Sequence, residues 1–349
     1  MSHTHDIFIK RCFDLAALGL GNVSPNPLVG SVLVKDGQII GEGYHQKIGE
    51  AHAEVNAIAS VKQVSDLKHA TLYVNLEPCV HHGKTPPCTD LIIRKEIPRV
   101  VISMTDPNPK VAGKGIEKLR ANGVEVISGV LEEDAKFLNR RFIRYMTTNR
   151  PYIILKWAKT EDGFMDVLRP IDRSEAPSWI TNAFCKQLVH KWRTEEDAFM
   201  VGKHTAIMDN PQLTVREWTG RNPKRVSIDF DDNLPKDLEI FTDTSDNLIF
   251  TGNTPKVKNR TCFFQINSRK NNLEEVLRHL HREMIQSLVV EGGSELLHSF
   301  IDKGLWDEAR VFTGNQYFRR GIKAPQIQGI NESHQVFGNS RLRILYNKL

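Results

Sequence analysis

His52 and Glu54 stand two residues apart in AHAEVNAIASV (51–61), and Cys79 and Cys88 follow in NLEPCVHHGKTPPCTD (75–90). One imidazole and two thiolates are the donor set with which a catalytic zinc keeps a fourth position open for water. A carboxylate close to the histidine, itself outside the ligand set, can move protons to and from that water. Two other chemistries fit the same cysteines. They could close a disulfide, or they could hold a structural zinc with His81 or His82 as fourth ligand. The structural zinc leaves Glu54 without a role.

The bulk properties narrow the choice. The 349 residues give room for two ordinary domains, each with its own core. A hydrophobic share of 40% and a charged share of 26% are globular values, and no apolar run reaches bilayer length. In MSHTHDIFIKRCFDLAALGL, Asp6, Lys10, Arg11 and Asp14 break up the apolar positions. The segment therefore reads as an amphipathic helix around Ile7 to Leu18, not a signal peptide. Five cysteines (Cys12, Cys79, Cys88, Cys185, Cys262) in a chain read without a leader suggest a reducing, cytoplasmic setting, which argues against the disulfide. The net charge of +5 suits small anionic ligands at least as well as nucleic acid.

The elements that must position the cluster follow from pattern. LVGSVLV (28–34) and IIGEGYH read as strands around the turn KDGQ, whose Asp-Gly suits a tight hairpin. AHAEVNAIASV has helical spacing, ATLYVNLEP reads as a strand, CTDLIIRKE as a helix, and RVVISMTD as a strand. GIEKLRANG is then a helix closed by Gly123, and VEVISGV a strand. This β-β-α-β-α-β-α-β order predicts a three-layer α/β sandwich. His52 and Glu54 fall at a helix start, Cys79 just past a strand end and Cys88 at a helix N-terminus, which favours a thiolate. A polar, helix-prone stretch (132–149) ends at NRP, and the domain boundary is placed there, giving 1–149 and 150–349.

H-x-E followed by P-C and a later cysteine is the zinc deaminase arrangement. HAE and PC fit, but the second cysteine comes nine residues after the first, as though the loop VHHGKTPP had been inserted. SPNPLVG, GYHQKIGEAHAEVNAI and NLEPCVHHGKTPPCTD, with the spacing between them, resemble the deaminase half of the bifunctional riboflavin-biosynthesis deaminase/reductase family. The resemblance implies a cytidine-deaminase-like domain with zinc on His52, Cys79 and Cys88 and proton transfer by Glu54. It also implies substrate contacts at Asn26, His45, His81 and Lys84. Among these, Asn26 suits the base, and Lys84 and His45 suit the phosphate.

The second half carries strand candidates at PYIILKWAKTEDG (151–163), EDAFMVG (196–202), RVSID (225–229), NLIFTG (247–252) and QSLVVEGG (286–293). In the last, a strand runs into Gly292-Gly293 and then a helix with Leu296, Leu297, Phe300 and Ile301 on one face. Close backbone approach at glycine plus free helix N–H groups make such a turn an anion site, although the same pattern often marks only a tight turn. This half resembles the family's reductase domain, which implies a dihydrofolate-reductase-like fold and NADPH. GKHTAIMDNPQLTVR (202–216) is the most specific block. The match carries Ala158, Trp179, Thr205 and Asp209, and the segment Gly293, Ser294, Glu295, Leu296, Leu297, His298 and Ser299, to cofactor positions. It carries Arg193, Leu213, Arg216 and Glu291 to substrate positions, and the two arginines suit a phosphate. The chain departs from the family at Pro177, where a serine is common, at Phe164-Met165-Asp166 after the Asp-Gly, and at Phe230.

The expected protein is thus a cytoplasmic bifunctional enzyme, dimeric by family resemblance, that takes phosphorylated pyrimidines and has no nucleic-acid or membrane partner. Two other classes stay open at this point. One is a structural-zinc protein whose C-terminal half senses a dinucleotide. The other is a nucleic-acid-editing deaminase, although the second half lacks an aromatic-and-basic stripe.

Overall fold

The computed structural model describes residues 2–80, 86–108, 111–170, 178–242, 245–268 and 272–347. The chain divides into two compact units, Met1–Asn149 and Arg150–Leu349. At the division Asn149 adopts the left-handed conformation, φ 53°, that closes a helix, and Pro151 cannot continue one.

The first unit runs α1 (Ser2–Ala17), β1 (Gly30–Lys35), β2 (Gln38–Tyr44), α2 (Ala53–Ala59), β3 (Thr71–Leu76), α3 (Cys88–Arg94), β4 (Arg99–Met104), α4 (Lys114–Ala121), β5 (Glu125–Ser128), α5 (Glu132–Leu138) and α6 (Arg140–Thr148). Its sheet has the order β2-β1-β3-β4-β5, with β1 antiparallel to both neighbours and β3, β4 and β5 parallel. Asp36 and Gly37 both take positive φ, 51° and 76°, as the tight β1–β2 hairpin requires. Successive strand residues face opposite sides. Leu33, Leu72, Val74, Val100 and Ile102 pack with Ala57, Ile92, Ile116 and Leu119, whereas Val32, Val34, Tyr73 and Val101 pack with Ile9, Cys12 and Leu15 of α1. Helices therefore cover both faces, giving the three layers expected. The polar stretch before the boundary forms two helices, α5 and α6, with an irregular step at Asn139.

The second unit runs β6 (Tyr152–Lys159), β7 (Phe164–Asp166), α7 (Ala183–Glu195), β8 (Ala198–Val201), α8 (Lys203–Asp209), β9 (Lys224–Ile228), β10 (Asn247–Thr251), β11 (Lys256–Lys258), β12 (Thr261–Gln265), α9 (Leu273–Arg282), β13 (Ser287–Val290), α10 (Ser294–Asp302), β14 (Glu308–Gly314), β15 (Ile322–Lys323), β16 (Ile330–Phe337) and β17 (Ser340–Tyr346). Its main sheet has the order β11-β12-β10-β9-β8-β13-β6-β14-β17-β16. The seven strands from β12 to β14 are parallel, and β11, β17 and β16 add antiparallel edges. β8 and β13 are buried throughout, as strands covered on both faces must be. One core forms with α9 and α10, through Leu277, Leu280, Leu297 and Phe300, and another with α7, through Val189 and Trp192.

Candidate active sites

Three chain segments converge at the zinc cluster. His52 is the N-cap of α2, Cys79 lies past the end of β3, and Cys88 opens α3. Nδ1 of His52 lies 3.3 Å from the Cys88 sulfur and 3.6 Å from the Cys79 sulfur, and the three donor atoms lie within 4.8 Å of one another. Tetrahedral zinc bonds of about 2.0–2.3 Å set such donors roughly 3.4–3.8 Å apart, so this set fits zinc. A hydrogen bond from the Cys88 thiol holds the Cys79 thiol well below its usual range; His52 and the Cys88 backbone N–H, 3.3 Å from the sulfur, add to this. Thr89 fixes the Cys79 carbonyl from both its N–H and its hydroxyl, at 3.3 and 3.1 Å.

Glu54 is buried in the first turn of α2, and burial raises its pKa to about 7, with the Cys79 charge adding to the effect. Asn26 and His45 meet, with Nδ2 3.0 Å from the imidazole Nε2. The other ring nitrogen of His45 lies 3.0 Å from the Ala51 carbonyl, and burial lowers its pKa. Both ring nitrogens of His45 thus have a partner, the Ala51 carbonyl at Nδ1 and the Asn26 amide at Nε2. The phosphate contact expected at His45 would replace its present partner, the Asn26 amide. His81 and Lys84 lie outside the described residues.

Glu77 was not singled out by pattern. Its buried carboxylate accepts backbone N–H groups of Asp106 and Gly113 on one oxygen, and of Gly115 and Ile116 on the other, at 2.7–3.2 Å. A Cβ at Gly115 would lie 2.3 Å from the Pro78 carbonyl, so only glycine lets α4 approach the arm that carries Cys79. A glutamate two residues before a cysteine in NLEPC is the available signal, but the distant N–H groups that donate to its carboxylate cannot be read from spacing.

In the second unit, β8, β13 and β6 are parallel neighbours, so Gly202, the 291–293 turn and Ala158 collect at their carboxyl ends. In open α/β sheets ligands bind there. Gly202 N–H donates to the Gly292 carbonyl at 2.8 Å, tying together the turns that lead into α8 and α10. A Cβ at Gly293 would lie 2.9 Å from Thr205 Oγ1, which leaves a cradle at the start of α10 that glycine keeps open. A dinucleotide phosphate fits such a turn. The rest of the assigned segment is unequally placed: Leu297 is buried in the core, Leu296 packs against it, Glu295, His298 and Ser299 are exposed, and the Ser299 hydroxyl donates to the Glu295 carbonyl. Trp179 is 64% exposed, and Lys186 Nζ lies over its ring, 5.1 Å from the centroid.

The assigned substrate residues converge more tightly. Arg193 donates to the Thr214 carbonyl at 3.0 Å and Arg216 to the Thr214 hydroxyl at 2.8 Å. Burial and then the Arg193 charge lower the Arg216 pKa, the condition that an added anion relieves. Arg193 also reaches Glu291 at 3.3 Å, and its buried Nε has no partner among the described residues. Leu213 turns at φ 53° with its side chain in the core, leaving its backbone for any ligand contact. Lys156, missed inside an apolar strand run, lies 3.5 Å from Glu291. His190, also missed, accepts the Arg216 N–H at 2.9 Å, and burial followed by the two arginines pushes its pKa down to about 4.

Residues 2–104 match the cytidine and deoxycytidylate deaminase zinc-binding region, and residues 151–315 match the RibD C-terminal domain. The riboflavin biosynthesis protein RibD of Aquifex aeolicus (strain VF5) is 41% identical over 336 residues, spanning 94% of this chain and 92% of its own. The RibD protein of Escherichia coli (strain K12) is 34% identical over 325 residues, spanning 88% and 86%. A diaminohydroxyphosphoribosylaminopyrimidine deaminase/5-amino-6-(5-phosphoribosylamino)uracil reductase from Thermotoga maritima has a crystal structure with a TM-score of 0.89 at 39% identity, over 99% of both chains.

Fold and donor set together define a zinc-dependent deaminase continued by an NADPH-dependent reductase. The near-full-length likeness narrows that class further. The chain belongs to the RibD family of riboflavin biosynthesis proteins and is a bifunctional deaminase and reductase of that pathway.

Proposed function

We propose that the first unit deaminates 2,5-diamino-6-ribosylamino-4(3H)-pyrimidinone 5′-phosphate. The second unit then reduces 5-amino-6-(5-phosphoribosylamino)uracil to its ribityl counterpart. The carrying observation is the buried Glu54 carboxyl, raised to about 7, beside a His–Cys–Cys donor set of zinc dimensions. Zinc on His52, Cys79 and Cys88 supplies a water nucleophile at neutral pH by lowering the pKa of water toward about 7. With zinc held there, Glu54 would be the residue to take up a proton from the attacking water and return one to the departing amine. Asn26, held by His45, keeps its amide oxygen for a ring N–H of the base. We assign Lys84 and His81 to the same substrate.

NADPH supplies the hydride for the second step. The start of α10 and the Gly292-Gly293 turn hold a cofactor phosphate, with Thr205, Asp209, Ala158 and Trp179 along the cofactor. Arg193 and Arg216 receive the substrate phosphate. Glu291, between Lys156 and Arg193, accepts hydroxyl groups of the sugar. We place the enzyme in the cytoplasm as a homodimer acting on small phosphorylated pyrimidines, with no nucleic-acid or membrane partner. No helix among the described residues is long and apolar enough to cross a membrane.

The test supplies the diaminopyrimidinone phosphate to the zinc-loaded protein. Ammonia should appear without NADPH, and NADPH oxidation should follow deamination once the cofactor is added. Zinc-loaded protein that released no ammonia would overturn the first assignment. NADPH left unoxidised in the presence of the deaminated compound would overturn the second.

A further inference from the structure

Arg169 falls in FMDVLRP, the stretch after Asp162-Gly163 where the chain departs from the family order. Its side chain is only 4% exposed. Nε and Nη2 donate to Asp166 Oδ2 at 3.2 and 2.6 Å, and Nη2 also donates to Asp209 Oδ1 at 2.5 Å. The third nitrogen, Nη1, is buried with no partner among the described residues. One guanidinium thus joins the end of β7 to the end of α8, two elements far apart in sequence.

Both ends of this bridge border the cofactor turn. Met165, next to Asp166, would stand 3.6 Å from a Cβ at Gly292, and Thr205, one turn before Asp209, would stand 2.9 Å from a Cβ at Gly293. Asp209 closes α8, where the positive backbone dihedral of Asn210 turns the chain away. With Oδ1 held by Arg169, the carboxylate cannot rotate freely, and it remains partly exposed. A fixed carboxylate oxygen is an acceptor for the hydroxyl or carboxamide N–H groups of a dinucleotide, and fixing it beforehand removes an ordering cost from binding.

We propose that Arg169 is a positioning residue of the NADPH site: bridging Asp166 and Asp209, it sets the Asp209 carboxylate toward the cofactor and holds β7 against the Gly292-Gly293 turn. This rests on the reductase reading above. Arg169 acts through Asp209, so its removal should matter only while Asp209 is present.

The experiment measures the NADPH dissociation constant by protein fluorescence for the full chain and for Arg169→Gln, Arg169→Lys, Asp209→Ala and the Arg169→Gln/Asp209→Ala pair. Arg169→Gln should weaken NADPH about tenfold, roughly 1.4 kcal/mol. Arg169→Lys should recover at least half of that loss on a logarithmic scale. In the Asp209→Ala background, Arg169→Gln should add less than twofold, the non-additivity expected of residues acting as a unit. An Arg169→Gln protein that binds NADPH within twofold of wild type would overturn the proposal. So would full additivity with Asp209→Ala, the mark of a merely structural arginine. If Arg169→Gln does not fold, Asp166→Ala, which removes the other anchor, takes its place with the same two outcomes. Failure of the unaltered chain to bind NADPH would instead remove the reductase reading itself.

Discussion

The two units assemble their sites differently. In the first, the metal donors and the acid come from three short segments, and each donor sits where a strand or helix begins or ends. In the second, the assigned groups extend from Ala158 to Ser299, and Gly202, Ala158 and the 291–293 turn come together only because β8, β13 and β6 lie side by side. A metal demands fixed donor types at bond distance, so its signature survives as a motif. A phosphate or a dinucleotide accepts many arrangements of backbone N–H and guanidinium, so its site is a product of topology. The contrast predicts abrupt losses for single changes in the first unit and graded losses in the second.

The sharpest break should be Cys88→Ser. Cys88 is fully buried and lies 3.3 Å from His52 Nδ1. Serine gives zinc a poorer ligand, so metal content should fall well below one per chain and ammonia release should vanish with it. Metal analysis on gel-filtered protein decides the point, and a full zinc complement would remove Cys88 from the ligand set. Binding of metal is coupled to local folding, so the variant should also unfold at lower temperature.

Glu54→Gln separates proton transfer from metal binding. It keeps size and shape but cannot take a proton, and zinc should stay bound because Glu54 is not a ligand. Deamination should fall by at least about 10²–10⁴-fold, the range credited to one positioned acid–base group. Reduction of substrate supplied already deaminated should continue at the wild-type rate, since the reductase residues all lie beyond Asn149. Parallel loss of ammonia release and NADPH oxidation in one preparation would merge what the comparison keeps apart.

Legibility in the sequence follows the same divide. The β1–β2 hairpin, the alternation of helices with β3, β4 and β5, and the strands β6, β8, β9, β10 and β13 were readable, since apolar period and turn residues report local geometry. The strands β14, β16 and β17 were not. β14 follows α10 directly in DEARVFTG, where Glu308 and Arg310 look like surface residues. They are in fact buried, with Arg310 Nε donating to Glu308 at 2.6 Å and Arg310 Nη2 to Glu196 at 3.0 Å. Buried charge hides a strand from any pattern built on hydrophobicity. His52, Glu54, Cys79 and Cys88 stood out because few other roles need those types at that spacing, whereas Glu77, Lys156, Arg169 and His190 are defined by partners remote in sequence.

A graded effect is expected at Arg216. Its guanidinium shares Thr214 with Arg193, so Arg216→Ala leaves one cation at the site. Losing one charged hydrogen bond to a phosphate costs about 1.5–3 kcal/mol, so the substrate KM of the reduction should rise roughly ten- to a hundredfold. The KM for NADPH should move less than threefold. Steady-state kinetics with each ligand varied in turn tests this, and equal rises for both would mean that Arg216 does not distinguish substrate from cofactor.

The smallest effect is a pH dependence of stability set by His190. Burial, then the Arg193 and Arg216 charges, depress its pKa to about 4 in the folded chain, against about 6.5 in an unfolded one. The folded state therefore refuses a proton that the unfolded state accepts. Above about pH 6.5 both states are neutral at this residue, and its contribution is complete. As pH falls from there toward about 4, the unfolded state gains the proton first and stability declines, by at most about 1.4 kcal/mol per pH unit for one group. His190→Gln keeps an acceptor for the Arg216 and Glu217 N–H groups, which His190 Nδ1 accepts at 2.9 and 3.3 Å, but it cannot titrate. The variant should be less stable than wild type at pH 7.5, and the gap should close as pH is lowered to 5. Thermal unfolding of both proteins across that range measures it. A gap that stays constant would mean that His190 is protonated alike in both states, and that the paired arginines are not felt at its ring.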